Sequence, residues 1–283
     1  IEWVAKEKDQ EDIDKLAEKQ KKQFAGCEIS GKKLGIIGLG AIGAMVANSA
    51  THLGMEVYGY DPYLSVDAAW RLSRNIHHAK TVDELYKDCD YITIHVPAMD
   101  STKGMIDKNA IGLMKDGVVI LNYARNVLVD EEAVVDALVS GHVKNYVTDF
   151  PTPIVAGVKG AIITPHLGAS TEESEDNCAV MAAHEISEFM ENGNIINSVN
   201  YPNCDAGVCN TKGRITVAHR NIPKMLNRFT EVLSDEGINI DHMTNKSRGD
   251  YSYCVFDIDA DSTQEIADKL NAIDGVLKVR VIK

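Results

Sequence analysis

Six residues, Gly38-Leu-Gly-Ala-Ile-Gly43, constrain this chain more than any other segment. They follow a short apolar run, Lys33–Ile37, and open a helical pattern, Ala41–Leu53, that Gly54 closes. A second apolar run, Met55–Tyr60, ends in Asp61. Strand, glycine turn, helix, strand and terminal acid together make a dinucleotide-binding unit, which a bare G-x-G-x-x-G would not. Gly38 permits the tight turn, Gly40 lets the backbone approach a pyrophosphate, and Gly43 allows close helix–strand packing. The helix start at Ala41 and Ile42 offers free N–H groups and a positive dipole end to the phosphates. Asp61, next to Tyr60, can accept hydrogen bonds from ribose hydroxyls and repels a 2′-phosphate. The expected cofactor is therefore NAD rather than NADP.

The strand–helix alternation continues downstream. Tyr91–Val96, Gly117–Asn122, Tyr146–Asp149 and Ala161–Thr164 are further short apolar runs with helical patterns between them. This predicts a Rossmann-type, doubly wound parallel sheet over residues 25–169. Residues 1–24 are charge-rich, with Ile13, Leu16, Ala17 and Phe24 on one helical stripe, and read as a connecting helix. Ser170–Asn192 reads as a long helix, with Ser170 and Glu173 as a capping box and Gly193 as the stop. Residues 198–213 are rich in Asn, Gly and Pro and read as a linker. Residues 214–283 then read strand, helix, strand, strand, helix, strand, an α+β unit of the ferredoxin-like type.

A length of 283 residues suits about two domains. The formal net charge of −13 argues against nucleic acid or an anionic membrane as the main partner. The six cysteines are scattered. The nearest pair, Cys204 and Cys209, has no second pair to complete a zinc site, so no metal is expected and both read as linker thiols in a reducing cytoplasm. No apolar run approaches the roughly 20 residues of a membrane span, and there is no signal-peptide pattern.

The segments Tyr91–Pro97 (YITIHVP), Thr102, Asn122-Tyr-Ala-Arg125, Asp149 and Thr164-Pro-His166-Leu-Gly168 resemble successive signatures of the D-isomer-specific 2-hydroxyacid dehydrogenases. The VTDFP segment and the C-terminal module are most similar to the members that oxidise 3-phospho-D-glycerate to 3-phosphohydroxypyruvate, the first step of serine biosynthesis. The resemblance implies that His166 is the acid/base and Arg125 the substrate clamp. These types suit the chemistry: His exchanges protons near neutrality, and Arg presents a planar fork to a carboxylate. It also implies that Asp149 bonds the nicotinamide carboxamide, that Tyr123, Ala124, Gly168 and Ala169 lie by that ring, that Val96 and Pro97 flank the adenine, and that His95 and Thr102 wall the cofactor cleft.

Three departures stand against that pattern. The family has a Glu beside its acid/base His, in the loop after Asp149, but here the loop reads Phe150–Gly157 with no carboxylate. Thr152 is nearest the expected place, and Glu172 or Glu173 are candidate substitutes. Asn126 stands where the family commonly has Gly. The family's substrate domain also uses an N-terminal segment of about a hundred residues, a typical domain size, together with the helix in residues 170–197. The sequence starts at Ile1 without it, which predicts NAD binding with poor exclusion of water and poor turnover.

Residues 214–283 resemble an ACT domain through Arg220-Asn221-Ile-Pro223, Leu226, Ile238-Asn239-Ile240 and Gly275-Val276. The resemblance implies a small amino-acid effector, serine, with Asn221 and Asn239 as its contacts, and edge-to-edge pairing into a homo-oligomer. Lys224 replaces the family's Gly after the Pro. A module that only dimerises is the alternative. For the whole chain the alternatives are a hydroxypyruvate or glyoxylate reductase, and a non-catalytic NAD-sensing protein like the corepressors of this fold.

Overall fold

The computed structural model describes residues 2–9 and 11–283. It separates into two compact units, Ile1–Gly168 and Ala169–Lys283. The expected single connecting helix is interrupted. α1 spans Glu2–Lys6, α2 spans Ile13–Gln20, and a 3-10 turn covers Lys21–Phe24. None of these residues is buried; Trp3 and Phe24 meet with ring centroids 5.4 Å apart. Ile1 and Gln10 lie outside the described residues.

The first unit then runs β1 (Lys33–Ile37), α3 (Ala41–His52), β2 (Glu56–Tyr60), α4 (Val66–Ala69), β3 (His77–His78), α5 (Val82–Asp88), β4 (Tyr91–Ile94), α6 (Lys108–Leu113), β5 (Val118–Asn122), α7 (Glu131–Ser140), β6 (Val143–Thr148) and β7 (Ala161–Ile163). Its seven strands pair in the order β3-β2-β1-β4-β5-β6-β7, all parallel. Strand order reverses between β1 and β4, the switch point where open α/β sheets bind ligands. The central strands are buried, which is why Ile36, Ile37, Ile92, Ile94 and Ile120 sit in continuous apolar runs. α3 meets the sheet through Ala44, Ala47 and Ala50, side chains small enough for close approach. Two-residue β3 escapes a reading of the sequence because His77 and His78 carry no apolar signal.

The second unit runs α8 (Glu172–Ser187), β8 (Gly213–Arg220), α9 (Met225–Asp235), β9 (Ile240–Arg248), β10 (Tyr251–Ile258), α10 (Gln264–Asn271) and β11 (Val276–Val281). α8 begins one residue later than its expected capping box. Thr171, not Ser170, accepts the hydrogen bond from the Ser174 amide, at 3.2 Å. The helix ends in a π turn, Glu188–Asn192, before Gly193 takes the left-handed conformation.

The βαββαβ order is as the pattern predicts, in an antiparallel sheet ordered β11-β8-β10-β9. In β8 and β10 alternate residues face the helices. Ile215, Val217, Cys254, Phe256 and Ile258 pack with Phe229, Leu233, Ile266 and Leu270 of the two helices. The opposite face presents Arg214, Thr216, Ala218, Tyr253, Val255 and Asp257. Tyr201, Cys204 and Ala206 of the 198–213 segment, expected to be a linker, cover it together with Ile195 just before them, packing against Tyr253, Val255 and Ala218.

Arg214 fastens that cover. Its side chain is fully buried and pairs twice with Asp257, its cross-strand partner, at 2.5 and 2.8 Å. The remaining N–H groups donate to the carbonyls of Asn192, Ala206 and Gly207. Replacing Arg214 by Met keeps the volume but leaves Asp257 as an unpaired, nearly buried carboxylate. The expected loss is about 3–5 kcal/mol in the second unit, read as a lower denaturant midpoint; an unchanged midpoint would refute this account of the cover.

Candidate active site

The glycine turn joins β1, α3 and β2 by backbone contacts. Gly38 has φ +92°, and a side chain there would strike the carbonyl of His95 at 2.6 Å. Its amide donates to the carbonyl of Tyr60 at 2.9 Å. A Cβ on Gly43 would overlap the carbonyl oxygen of Gly38. Gly40 is the residue before α3 and faces open space, with nothing within 4 Å of where its Cβ would be. Ala41 and Ile42 are exposed in the first turn of the helix.

Asp61 holds this turn from β2. One oxygen accepts from the Leu39 amide and the other from the Tyr63 amide, each at 2.9 Å. An ionised carboxylate has about four acceptor positions, so capacity remains for ribose hydroxyls. Gly38, Gly40, Tyr60, Asp61, Val96 and Thr102 share a cavity of about 710 Å³. Thr102 shapes its rim by donating to the Pro97 carbonyl at 2.6 Å. A neighbouring cavity of about 450 Å³ is lined by Ile42, Tyr123, Ala124 and Arg125. His95, Val96 and Pro97 line both, so the two make one trough across the switch point. His95 is a wall: its Nε2 lies 3.0 Å from the Thr93 hydroxyl, and burial pushes its pKa below the ordinary value. Sequence reasoning misses Met99, Met105 and Leu113 in the larger cavity, because apolar residues in loops and helices carry no distinguishing pattern.

The loop after β5 is folded by Asn122, the first residue of the Asn122–Arg125 signature, to which sequence reasoning assigns no role. Buried Asn122 donates to the Arg125 carbonyl and the Tyr146 hydroxyl and accepts from the Ala124 amide. Arg125 is exposed, with one guanidinium N–H on the Ala124 carbonyl at 2.6 Å and no carboxylate partner among the described residues. Asn126 has no need of glycine's freedom, since it does not adopt positive φ.

Asp149 follows β6 and His166 follows β7. The structure brings them together: His166 Nδ1 is 3.0 Å from Asp149 Oδ2. Asp149 is thus turned to the histidine, at the place where the loop sequence offers no carboxylate. Thr152 does not fill that place; its hydroxyl donates to Glu131 on α7 at 2.6 Å. Glu172 and Glu173 are exposed first-turn charges of α8, and Glu173 is held below the usual carboxylate range by its own amide and Thr171. Gly168 has φ +51° and is exposed; Ala169 opens the second unit and is exposed. Neither glycine loop nor histidine turn forms a metal site: no group of three or more His, Cys, Asp or Glu among the described residues could hold a metal.

In the second unit, Asn221 lies in a cavity of about 230 Å³ with Lys224, Asn227 and Asn245. Its side chain donates to the Gly249 carbonyl at 2.9 Å. Asn239 precedes β9, at the opposite end of the sheet, so one copy does not bring the two together. Lys224 adopts φ +72°, the left-handed conformation that glycine would take without strain.

Because Gly43 touches Gly38 through bare backbone, Gly43→Ala must open the turn. We expect at least about a tenfold loss of NADH affinity by fluorescence titration, or about 1.4 kcal/mol, with the far-ultraviolet circular dichroism kept. Unchanged affinity would rule out this turn as the cofactor seat.

Residues 4–168 match the family described as D-isomer specific 2-hydroxyacid dehydrogenase, NAD binding domain, and residues 213–275 match the ACT domain. The chain is 30% identical to D-3-phosphoglycerate dehydrogenase of Haemophilus influenzae, covering 90% of this chain and 64% of that protein. It is 32% identical to the Escherichia coli K12 protein of the same name, with the same coverages. The chain therefore spans about 64% of the length of these curated relatives. Among solved structures, a glyoxylate reductase from Paecilomyes thermophila is similar at TM-score 0.55 and 30% identity, covering 62% of this chain and 54% of that one. D-mandelate dehydrogenase of Rhodotorula graminis is similar at TM-score 0.56 and 26% identity, covering 66% and 56%. No helix among the described residues is long and apolar enough to cross a membrane. With its glycine turn, its acid at the end of β2 and a match over more than half its length, the chain belongs to the D-isomer specific 2-hydroxyacid dehydrogenases and carries their NAD-binding domain, followed by an ACT domain.

Proposed function

We propose that this chain carries the cofactor-binding and regulatory parts of an enzyme that oxidises 3-phospho-D-glycerate to 3-phosphohydroxypyruvate with NAD, the first step of serine synthesis. The observation that carries the reading is the grouping of Arg125, Asp149 and His166 after three adjacent strands, β5, β6 and β7, of one NAD-type sheet. The names of the relatives supply the substrate.

The residues present fit NAD. The exposed start of α3 and the open space over Gly40 suit a pyrophosphate, and the spare capacity of Asp61 suits ribose hydroxyls. Bound NAD supplies the hydride acceptor for C2 of the substrate. Arg125, with no carboxylate partner among the described residues, holds the substrate carboxylate with its planar fork. His166 takes the C2 hydroxyl proton on Nε2, the ring nitrogen opposite the one on Asp149. The O–H and C2–H bonds break, and a C2 carbonyl forms. Burial disfavours a charge on His95, which pushes its pKa below the ordinary value.

The ACT domain argues against a glyoxylate or hydroxypyruvate reductase, which has no need of an amino-acid sensor. The His166–Asp149 pair argues against a purely NAD-sensing protein. For the effector, serine is the natural reading, since it is the end product of the proposed path. β8 and β9 are parallel and flank β10. An antiparallel pairing of two β9 edges would set Asn239 of one copy beside the β9 end and Asn221 of the other, giving a shared site in a homo-oligomer. Six free cysteines, three of them buried, suit the reducing cytoplasm.

Purified protein should form NADH from 3-phosphoglycerate and NAD. His166→Ala should cut kcat by roughly 10²–10⁴-fold while leaving NAD affinity intact. No NADH from any D-2-hydroxy acid, with NAD still bound, would sink the enzyme reading. Serine titrated into the chain should release heat that Asn221→Ala removes; no heat at all would leave the ACT domain as a pairing element alone.

A further inference from the structure

Resting on the reading of His166 as the acid/base, we infer that Asp149 is its positioning carboxylate, the role that members of this family give to a Glu in the following loop. The geometry is direct. Asp149 Oδ2 is 3.0 Å from His166 Nδ1, and the Asp149 side chain is 8% exposed while that of His166 is 51% exposed. The carboxylate therefore stands behind the ring, and the ring reaches outward with Nε2 unpartnered among the described residues. A carboxylate on Nδ1 selects the tautomer with its proton there and its lone pair on Nε2, the form that can take a proton from substrate.

Both residues are fixed before they meet. Thr148 pairs with Ile163 in the sheet, and the Thr164 amide donates to the Thr148 carbonyl at 3.0 Å. Asp149 follows Thr148 directly, and His166 comes two residues after Thr164. A tight turn, Leu167 amide to Pro165 carbonyl at 2.8 Å, holds His166 at its centre. The Phe150 ring lies against the imidazole with centroids 4.6 Å apart. The loop that would carry a Glu is tied elsewhere, through Thr152 to buried Glu131.

The second oxygen, Asp149 Oδ1, is buried without a protein partner. A carboxylate so placed is poorly solvated, and a positive charge on the adjacent ring compensates it. The imidazolium formed when His166 takes the substrate proton would stand directly against this carboxylate.

The test compares Asp149→Asn with His166→Ala in the full chain. The amide introduced by Asp149→Asn can offer its N–H₂ to Nδ1 and so invert the tautomer at nearly constant volume. We expect kcat to fall by roughly 10²–10⁴-fold, by analogy with the loss of the correct tautomer when the Asp of a Ser-His-Asp triad is changed to Asn. The KM for substrate and the affinity for NAD should stay within about twofold, a change well under 1.4 kcal/mol. Nitrogen-15 NMR of His166 should show its proton move from Nδ1 to Nε2 in the variant, a readout that needs neither substrate nor turnover. Asp149→Glu should recover part of kcat. If Asp149→Asn instead weakens NAD and spares kcat, Asp149 serves the carboxamide and the inference fails. If His166→Ala is active, the acid/base reading fails first, and the NMR result still decides the pairing.

Discussion

Gly38 and Gly43 meet through bare backbone, and the strand ends around the cofactor trough are set by that contact. A methyl on Gly43 would occupy the space of the Gly38 carbonyl, and one on Gly38 would strike the carbonyl of His95. Lacking both, β1, α3 and the end of β4 can converge. Asp61 then fixes the turn from β2 by accepting the Leu39 amide. The result is an open helix start over Gly40 and a trough walled by His95, Val96 and Pro97. One interaction thus shapes the open helix start, the hold of Asp61 on the turn and the passage toward Arg125.

The second unit solves a different problem. Its sheet buries one face under two amphipathic helices, with Phe229 and Leu233 one turn apart and Ile266 and Leu270 likewise. The other face is covered by irregular chain, whose carbonyls would be orphaned if buried dry. Arg214 answers them with a guanidinium whose five donors are all directed to Asp257 or to three carbonyls. No apolar side chain could close both a charge and three carbonyls at once. That accounts for a fully buried arginine in a small module.

Much of this is legible in the residues. Buried parallel strands read as apolar runs, the glycine spacing reads as a turn, and the βαββαβ order emerges from alternating periods. What stays hidden depends on distance in sequence. Asp149 and His166 are 17 positions apart and meet only because β6 and β7 pair in register. Asn122 looks like an ordinary loop-edge residue until its three hydrogen bonds are counted. The 198–213 segment has loop composition, and composition says nothing about what it covers; Cys204 is buried there. Ser170 and Thr171 are equally good helix starts by type, and one residue of register decides between them.

Strand register also sets how Asp149 and His166 are held together. Strands of a sheet are about 4.8 Å apart, and residues just beyond two paired strands inherit that spacing. A carboxylate at the end of β6 therefore reaches a histidine after β7 with no help from the intervening loop. A carboxylate in the loop itself would need that loop ordered first, and here Thr152 commits it to Glu131. Building the pair on the sheet removes this dependence. Arg125 sits nearby in a loop braced by Asn122 at the end of β5, the strand beside β6. Asp149, His166 and Arg125 are thus all referred to one sheet, so their relative placement is fixed by backbone pairing rather than by side-chain choice.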